Sequence, residues 1–272
     1  MDPALPDVDL AERFGIGKYP LLAKGSFGKI LLEIYGQSRE KAYYLLIQQQ
    51  IARAVSILDE WLPFHGTCSI IIRVIETDEI PANYSYASPQ RDGCSYEDLI
   101  FLPKDTARWD TAIGPFGVQS TLHETAHALL HASYRPPWFE EGLCDYLSYL
   151  YLSGPWPEQA DRMLKEAEKA FADEGAAQRV WSFDPPYAIT VMEETIRQMK
   201  IEGKDNATIV AFIKDYWRDF DRVYAYAFGV IHTIAKKKGR VELQCLIKRY
   251  YDGSISAEEL NRIGQAAIRG SQ

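Results

Sequence analysis

Apolar residues recur at helical spacing between Ser38 and Leu62, where Tyr43, Leu46, Ile47, Ile51, Ala54, Val55 and Leu58 are separated by Gln and Arg. The pattern predicts an amphipathic helix packed on a core. Strand-like runs lie on both sides of it. Tyr19 to Ala23 and Phe27 to Tyr35, parted by Lys24-Gly25-Ser26, read as a β-hairpin. Cys68 to Ile75 is short and β-branched, and Asp98 to Leu102 resumes strand character after a polar loop from Asp78 to Glu97.

The helical period then takes over. A helix from about Val118 to Ser133 is stopped by Arg135-Pro136-Pro137, because proline bars continuation, and a second starts near Trp138. From about Ala188 to the end the pattern is helical in four or five pieces, the last opened by the capping-box signature Ser256-Ala257-Glu258-Glu259. These elements predict an α+β fold, with a small mixed sheet in an N-terminal lobe and a helical C-terminal lobe. Residues 1–36 form an extension carrying the hairpin, 37–153 the lobe with both proline-flanked helices, and 154–272 the helical lobe. No internal repeat is evident.

Composition narrows the class. The 272 residues are 47% hydrophobic and 25% charged, the balance of a globular protein, and no apolar run approaches the roughly 20 residues that span a bilayer. No membrane segment is expected. The start, Met1-Asp2-Pro3-Ala4-Leu5-Pro6-Asp7, is acidic and proline-punctuated, unlike a secretory signal, and the four dispersed cysteines (Cys68, Cys94, Cys144, Cys245) form no C-x-x-C pair. A reducing, cytoplasmic setting is expected, with each cysteine a small buried hydrophobe.

A net charge of −8 argues against a phosphate-tracking surface, so nucleic acid is not an expected partner. The basic triplet Lys236-Lys237-Lys238 closes an apolar helix before Gly239, where cations complement the helix dipole and a structural reason suffices. Gly25-Ser26-Phe27-Gly28-Lys29 lacks the G-x-x-x-x-G-K-[ST] frame of a phosphate loop, and a turn accounts for it.

The chemistry concentrates in His123-Glu124-Thr125-Ala126-His127, followed fourteen residues later by Glu141 in Trp138-Phe139-Glu140-Glu141-Gly142-Leu143-Cys144-Asp145. On a helix, histidines at i and i+4 project from one face about 6 Å apart along the axis, so both imidazoles can reach one metal. A hydrolytic zinc site wants three protein ligands and one position for water, whose pKa it lowers towards about 7. Glu124, turned about 100° around the helix from His123, need not coordinate and can instead accept the water proton and deliver it to a leaving amine.

The third ligand is to be sought among Glu140, Glu141, Asp145 and His131. His131 lies i+8 from His123, about 12 Å along the axis, too far for three imidazoles on one straight helix to share a metal. Glu141 is preferred over Glu140 because Asp145 then lies at i+4 on the same face, where it can accept a ring N–H of His123 or His127 and fix its tautomer. Glu140 has Cys144 at that place instead. His65 and His232, in apolar surroundings, read as structural.

This set of residues resembles the gluzincin metallopeptidases, and most closely the peptidase MA-like members, whose third-ligand helix commonly reads P-x-W-[LF]-x-E-G-x-x-x-[YF]. Pro136 or Pro137, Trp138, Phe139, Glu141, Gly142 and Tyr146 match it. The resemblance implies a zincin-like fold, Zn2+ as cofactor, metal ligands at His123, His127 and Glu141, and Glu124 as general base and acid. Tyr226-Ala227-Phe228-Gly229 is similar to a segment in which such enzymes carry a tyrosine that donates to the oxyanion; Tyr226 is the candidate, with Tyr224 and Tyr187 behind it. The tail from Leu246 to Ser254 also looks like the end of these domains. The G-x-M-E-N segment of aminopeptidases and the longer metzincin histidine pattern are absent.

The reading is a zinc-dependent metallopeptidase, a hydrolase acting on a peptide or protein substrate by a Glu124-activated zinc-bound water. The strand Asp98 to Leu102 is expected to edge the cleft and bind an extended peptide by strand addition. One alternative is a zinc hydrolase or tailoring enzyme for a small molecule or modified peptide, and another is a scaffold that holds zinc without catalysis.

Overall fold

Alternating and β-branched runs build five strands in the computed structural model of the protein, which describes residues 20–27, 30–35, 49, 52, 53, 56, 57, 60, 61, 69–77, 84–89, 95–103, 118, 119, 122, 123, 125–127 and 136–269. The chain divides into two units, Met1–His131 and Ala132–Gln272.

In the first unit, β1 (Leu21–Phe27), β2 (Ile30–Tyr35), β3 (Ser69–Thr77), β4 (Tyr84–Pro89) and β5 (Ser95–Pro103) form one sheet in the order β1-β2-β3-β5-β4. The outer pairs β1/β2 and β4/β5 are antiparallel, and β2/β3 and β3/β5 are parallel, so the sheet is mixed as its sequence suggests. Three details differ. Lys24-Gly25-Ser26 continues β1 rather than turning, because the ladder runs on to Phe27 opposite Ile30. The polar stretch 78–97 contains β4, whose Tyr-Ser-Tyr-Ala-Ser-Pro sequence is weakly apolar but suits an edge strand, where proline is tolerated. With β4 at the edge, β5 pairs on both sides, so strand addition along Asp98 to Leu102 is closed.

Leu32 and Ile34 on β2 are fully buried. Between them Glu33 points to the other face, where the register sets it beside Lys24 on β1 and Arg73 on β3. Lys24 Nζ and Arg73 Nε each donate to its carboxylate at 3.0 Å, and the Tyr35 hydroxyl donates at 2.8 Å. Burial would push the Glu33 carboxyl up, but these hydrogen bonds and the Arg73 charge outweigh it and hold the group below the usual carboxylate value. A carboxyl depressed in the folded state stabilises above its unfolded pKa, and that contribution is lost as pH falls through the folded value. The urea midpoint of the wild-type protein is therefore expected to drop more steeply than that of Glu33→Gln as pH falls below about 4.5, where an unfolded glutamate titrates. Parallel profiles would remove any pH-linked role for this ladder.

The helix predicted between β2 and β3 is seen at 49, 52, 53, 56, 57, 60 and 61, with Trp61 buried. The motif helix is seen at 118, 119, 122, 123 and 125–127. Its Val118, Leu122 and Ala126, at i, i+4 and i+8, form a buried stripe.

The second unit is helical: α1 (Pro137–Leu152), α2 (Pro157–Phe171), α3 (Glu174–Arg179), α4 (Pro185–Ile201), α5 (Asn206–Lys238), α6 (Arg240–Tyr251) and α7 (Ala257–Arg269). Asp173, Asp184 and Asp205 cap α3, α4 and α5 by accepting from the N–H three residues on. The Ser256 hydroxyl accepts from the Glu259 N–H at 3.1 Å, in line with the capping box expected there. The long α5 is the common partner of α1, α2, α3, α4, α6 and α7, and it ends at Gly239 with φ 85°, a conformation that favours glycine. No described helix is long and apolar enough to cross a membrane. Within the second unit α1 packs on α5, where Gly142 lies against Ala227 and Ile231.

Candidate metal centre

Burial of Val118, Leu122 and Ala126 fixes the roll of the motif helix, and the stripe beside it carries His123 and His127, both half-buried. Their Nε2 atoms approach to 3.1 Å, with ring centroids 4.8 Å apart and planes at 69°. Two nitrogens at zinc-binding distance and a tetrahedral angle are about 3.3 Å apart, so the pair fits one such ion. The i, i+4 spacing thus yields two converging ligand atoms of the kind zinc takes. Glu124 and His131 lie outside the described residues, as do His65, Cys68 and Cys94.

Glu141 and Asp145 lie one turn apart on α1 and are buried, at 8% and 9% exposure. The start of this helix has no side-chain cap: Pro136 precedes it in extended conformation, and Pro137 occupies its first turn. Tertiary partners hold that turn instead. Trp138 Nε1 donates to Asn261 Oδ1 on α7 at 2.6 Å, the Phe139 ring lies 4.9 Å from Tyr250 on α6, and the Tyr250 hydroxyl donates to Glu140 Oε2 at 3.0 Å. The two glutamates therefore differ in their surroundings: Glu140 is engaged by α6, while Glu141 shares a helix face with Asp145. Tyr250 and Asn261 were not among the residues singled out from the sequence. The available signal was the need of a buried indole N–H and a buried carboxylate for partners.

Tyr226 sits in the core of the second unit at 5% exposure, its ring 4.9 Å from Phe171 and 6.3 Å from Trp181. Burial pushes its phenol pKa up, which favours the protonated donor form. Tyr224 packs 5.5 Å from Phe183, and Tyr187 is 68% exposed. His232 lies among Tyr149, Phe228 and Tyr146, at 5.4, 5.9 and 6.3 Å, and burial followed by the Lys236 charge lowers its pKa, so a neutral packing imidazole accounts for it. Cys144 is buried as expected, whereas Cys245 is exposed on the outer side of α6. Its position falls between the buried Leu243 and Leu246, off the apolar stripe. No family model and no curated protein matches the chain.

Proposed function

We propose that the chain is a zinc-dependent metallopeptidase of zincin-like fold, in which His123, His127 and Glu141 hold the metal and Glu124 moves the proton. The observation that carries this reading is the 3.1 Å approach of the two imidazole nitrogens on one helix. The donor set supports it: two histidines and a carboxylate offer one ligand atom each, the number that leaves a hydrolytic zinc site its fourth position. The chemistry that zinc supplies in such a site is an acidified water and a polarised carbonyl.

The chain's own residues do the rest. Glu124, between the two histidines in sequence, accepts a proton from the attacking water and returns it to the departing amine. Asp145 is assigned the role of accepting a ring N–H from a ligand histidine, which would hold the imidazole in the tautomer that leaves its other nitrogen for the metal. Tyr226 enters as an oxyanion donor on its sequence pattern, while its aromatic surroundings favour packing. Tyr226→Phe separates the two roles: a fall in kcat of about 100-fold at constant KM is expected of a donor, and unchanged kcat with a lower melting midpoint assigns the residue to the core.

A peptide substrate is part of the same proposal, supported by a carboxylate at position 124 of the type that can protonate an amine leaving group. A reducing, cytoplasmic setting belongs to the same proposal, supported by the free thiols of Cys144 and Cys245 among the described residues. The test is metal analysis of the purified protein together with cleavage of a peptide library. One zinc per chain and cleavage that a chelator abolishes are expected. Zinc without cleavage of any bond would point to a non-peptide substrate or a scaffold, and a chain that binds no zinc would end the proposal.

A further inference from the structure

Given the proposed role of Glu141, we infer that Tyr250 and Glu140 are positioning residues for the metal site, acting through the turn of α1 that carries Glu141. Glu141 follows directly on the first turn of α1, and a ligand there is only as well placed as that turn, which has no side-chain cap: Pro136 holds the cap position and Pro137 the first helical one, and the local closure is the Phe139 N–H donating to the Pro136 carbonyl at 3.0 Å. The turn is gripped from outside as well. Glu140, immediately before Glu141, is buried at its carboxylate, where the Tyr250 hydroxyl donates to Oε2 at 3.0 Å. The Tyr250 ring also packs on Phe139, two residues before Glu141, and Trp138 is tied to Asn261 at 2.6 Å. Three successive residues leading to Glu141 are thus held by α6 and α7.

The Tyr250 bond is the one whose loss should be felt most at the ligand. Removing one hydrogen bond from a buried carboxylate leaves that oxygen less well satisfied and its side chain less firmly placed, and the effect passes to Glu141 through the peptide the two residues share. Outer partners that orient metal ligands typically change affinity by about 10–100-fold when removed.

The experiment compares wild type, Tyr250→Phe, Glu140→Gln and Glu140→Ala by chelator competition for Zn2+, with the melting midpoint of each metal-free protein alongside and the visible spectrum of each Co2+-loaded protein. Tyr250→Phe keeps the ring on Phe139, and Glu140→Gln keeps an acceptor for the hydroxyl. Tyr250→Phe and Glu140→Ala are expected to weaken Zn2+ binding by about 10–100-fold and to alter the Co2+ bands, with Glu140→Gln restoring most of the affinity. Zn2+ affinity and Co2+ bands unchanged in Tyr250→Phe, with only a lower metal-free midpoint, would reduce the contact to packing and overturn the inference while leaving the metal site standing. A wild-type protein that binds no Zn2+ would overturn the site and the inference together.

Discussion

Glu124→Gln is expected to lose about 10²–10⁴-fold in turnover while retaining its zinc, the loss typical of removing a general base. Glutamine has the same shape and can still accept a hydrogen bond through its carbonyl, but it cannot take a proton from water or hand one to an amine. The change leaves His123 and His127 in place, so the convergence of their nitrogens at 3.1 Å is preserved and zinc content should be unaltered. The split between metal content and rate is the informative part. Loss of both together would make Glu124 a ligand, and full turnover with zinc retained would remove it from the chemistry.

The second large effect concerns stability. Gly142→Ala is expected to cost the second unit about 2–3 kcal/mol, although alanine is the better helix former by about 1 kcal/mol. The reason is steric. A Cβ at position 142 would lie 2.5 Å from the Ala227 carbonyl oxygen, 2.6 Å from its carbon and 2.9 Å from Ile231 Cγ1. Two of those atoms are backbone of α5 and cannot rotate aside, so α1 has to move bodily. Gly154→Ala is the control, since its new methyl would be 3.6 Å from the nearest atom, the Tyr151 oxygen, and a change within about ±0.5 kcal/mol is expected. Denaturant midpoints of the two variants measure the difference. Equal midpoints would mean that the α1/α5 crossing yields more easily than its backbone contact implies.

These two sites mark what could be read along the chain and what could not. The histidine pair is legible because its geometry is local: helical pitch alone brings i and i+4 together, and the buried stripe of Val118, Leu122 and Ala126 gives the roll of the helix. The strands of the mixed sheet are legible where β-branched residues are dense, as in β3. β4 escapes, because Tyr84 and Tyr86 are its only strand-favouring residues among serines, an alanine and a proline, and it becomes a strand through pairing with β5. Lys24-Gly25-Ser26 looks like a turn by residue type, yet cross-strand partners, the Lys24–Glu33 bridge among them, keep it extended. The close approach at Gly142 is invisible for a related reason: glycine in a helix shows that space is short, not which helix takes it.

The anchors of the Glu141 turn carry a consequence for synthesis. Glu140 and Tyr250 are 110 residues apart in the chain, and Trp138 and Asn261 are 123 apart. His123, Glu124, His127 and Glu141 are all synthesised about a hundred residues or more before either anchor. A nascent chain therefore displays the proposed ligands long before α6 and α7 are there to hold the turn bearing Glu141, which reaches its final order only when they dock against it.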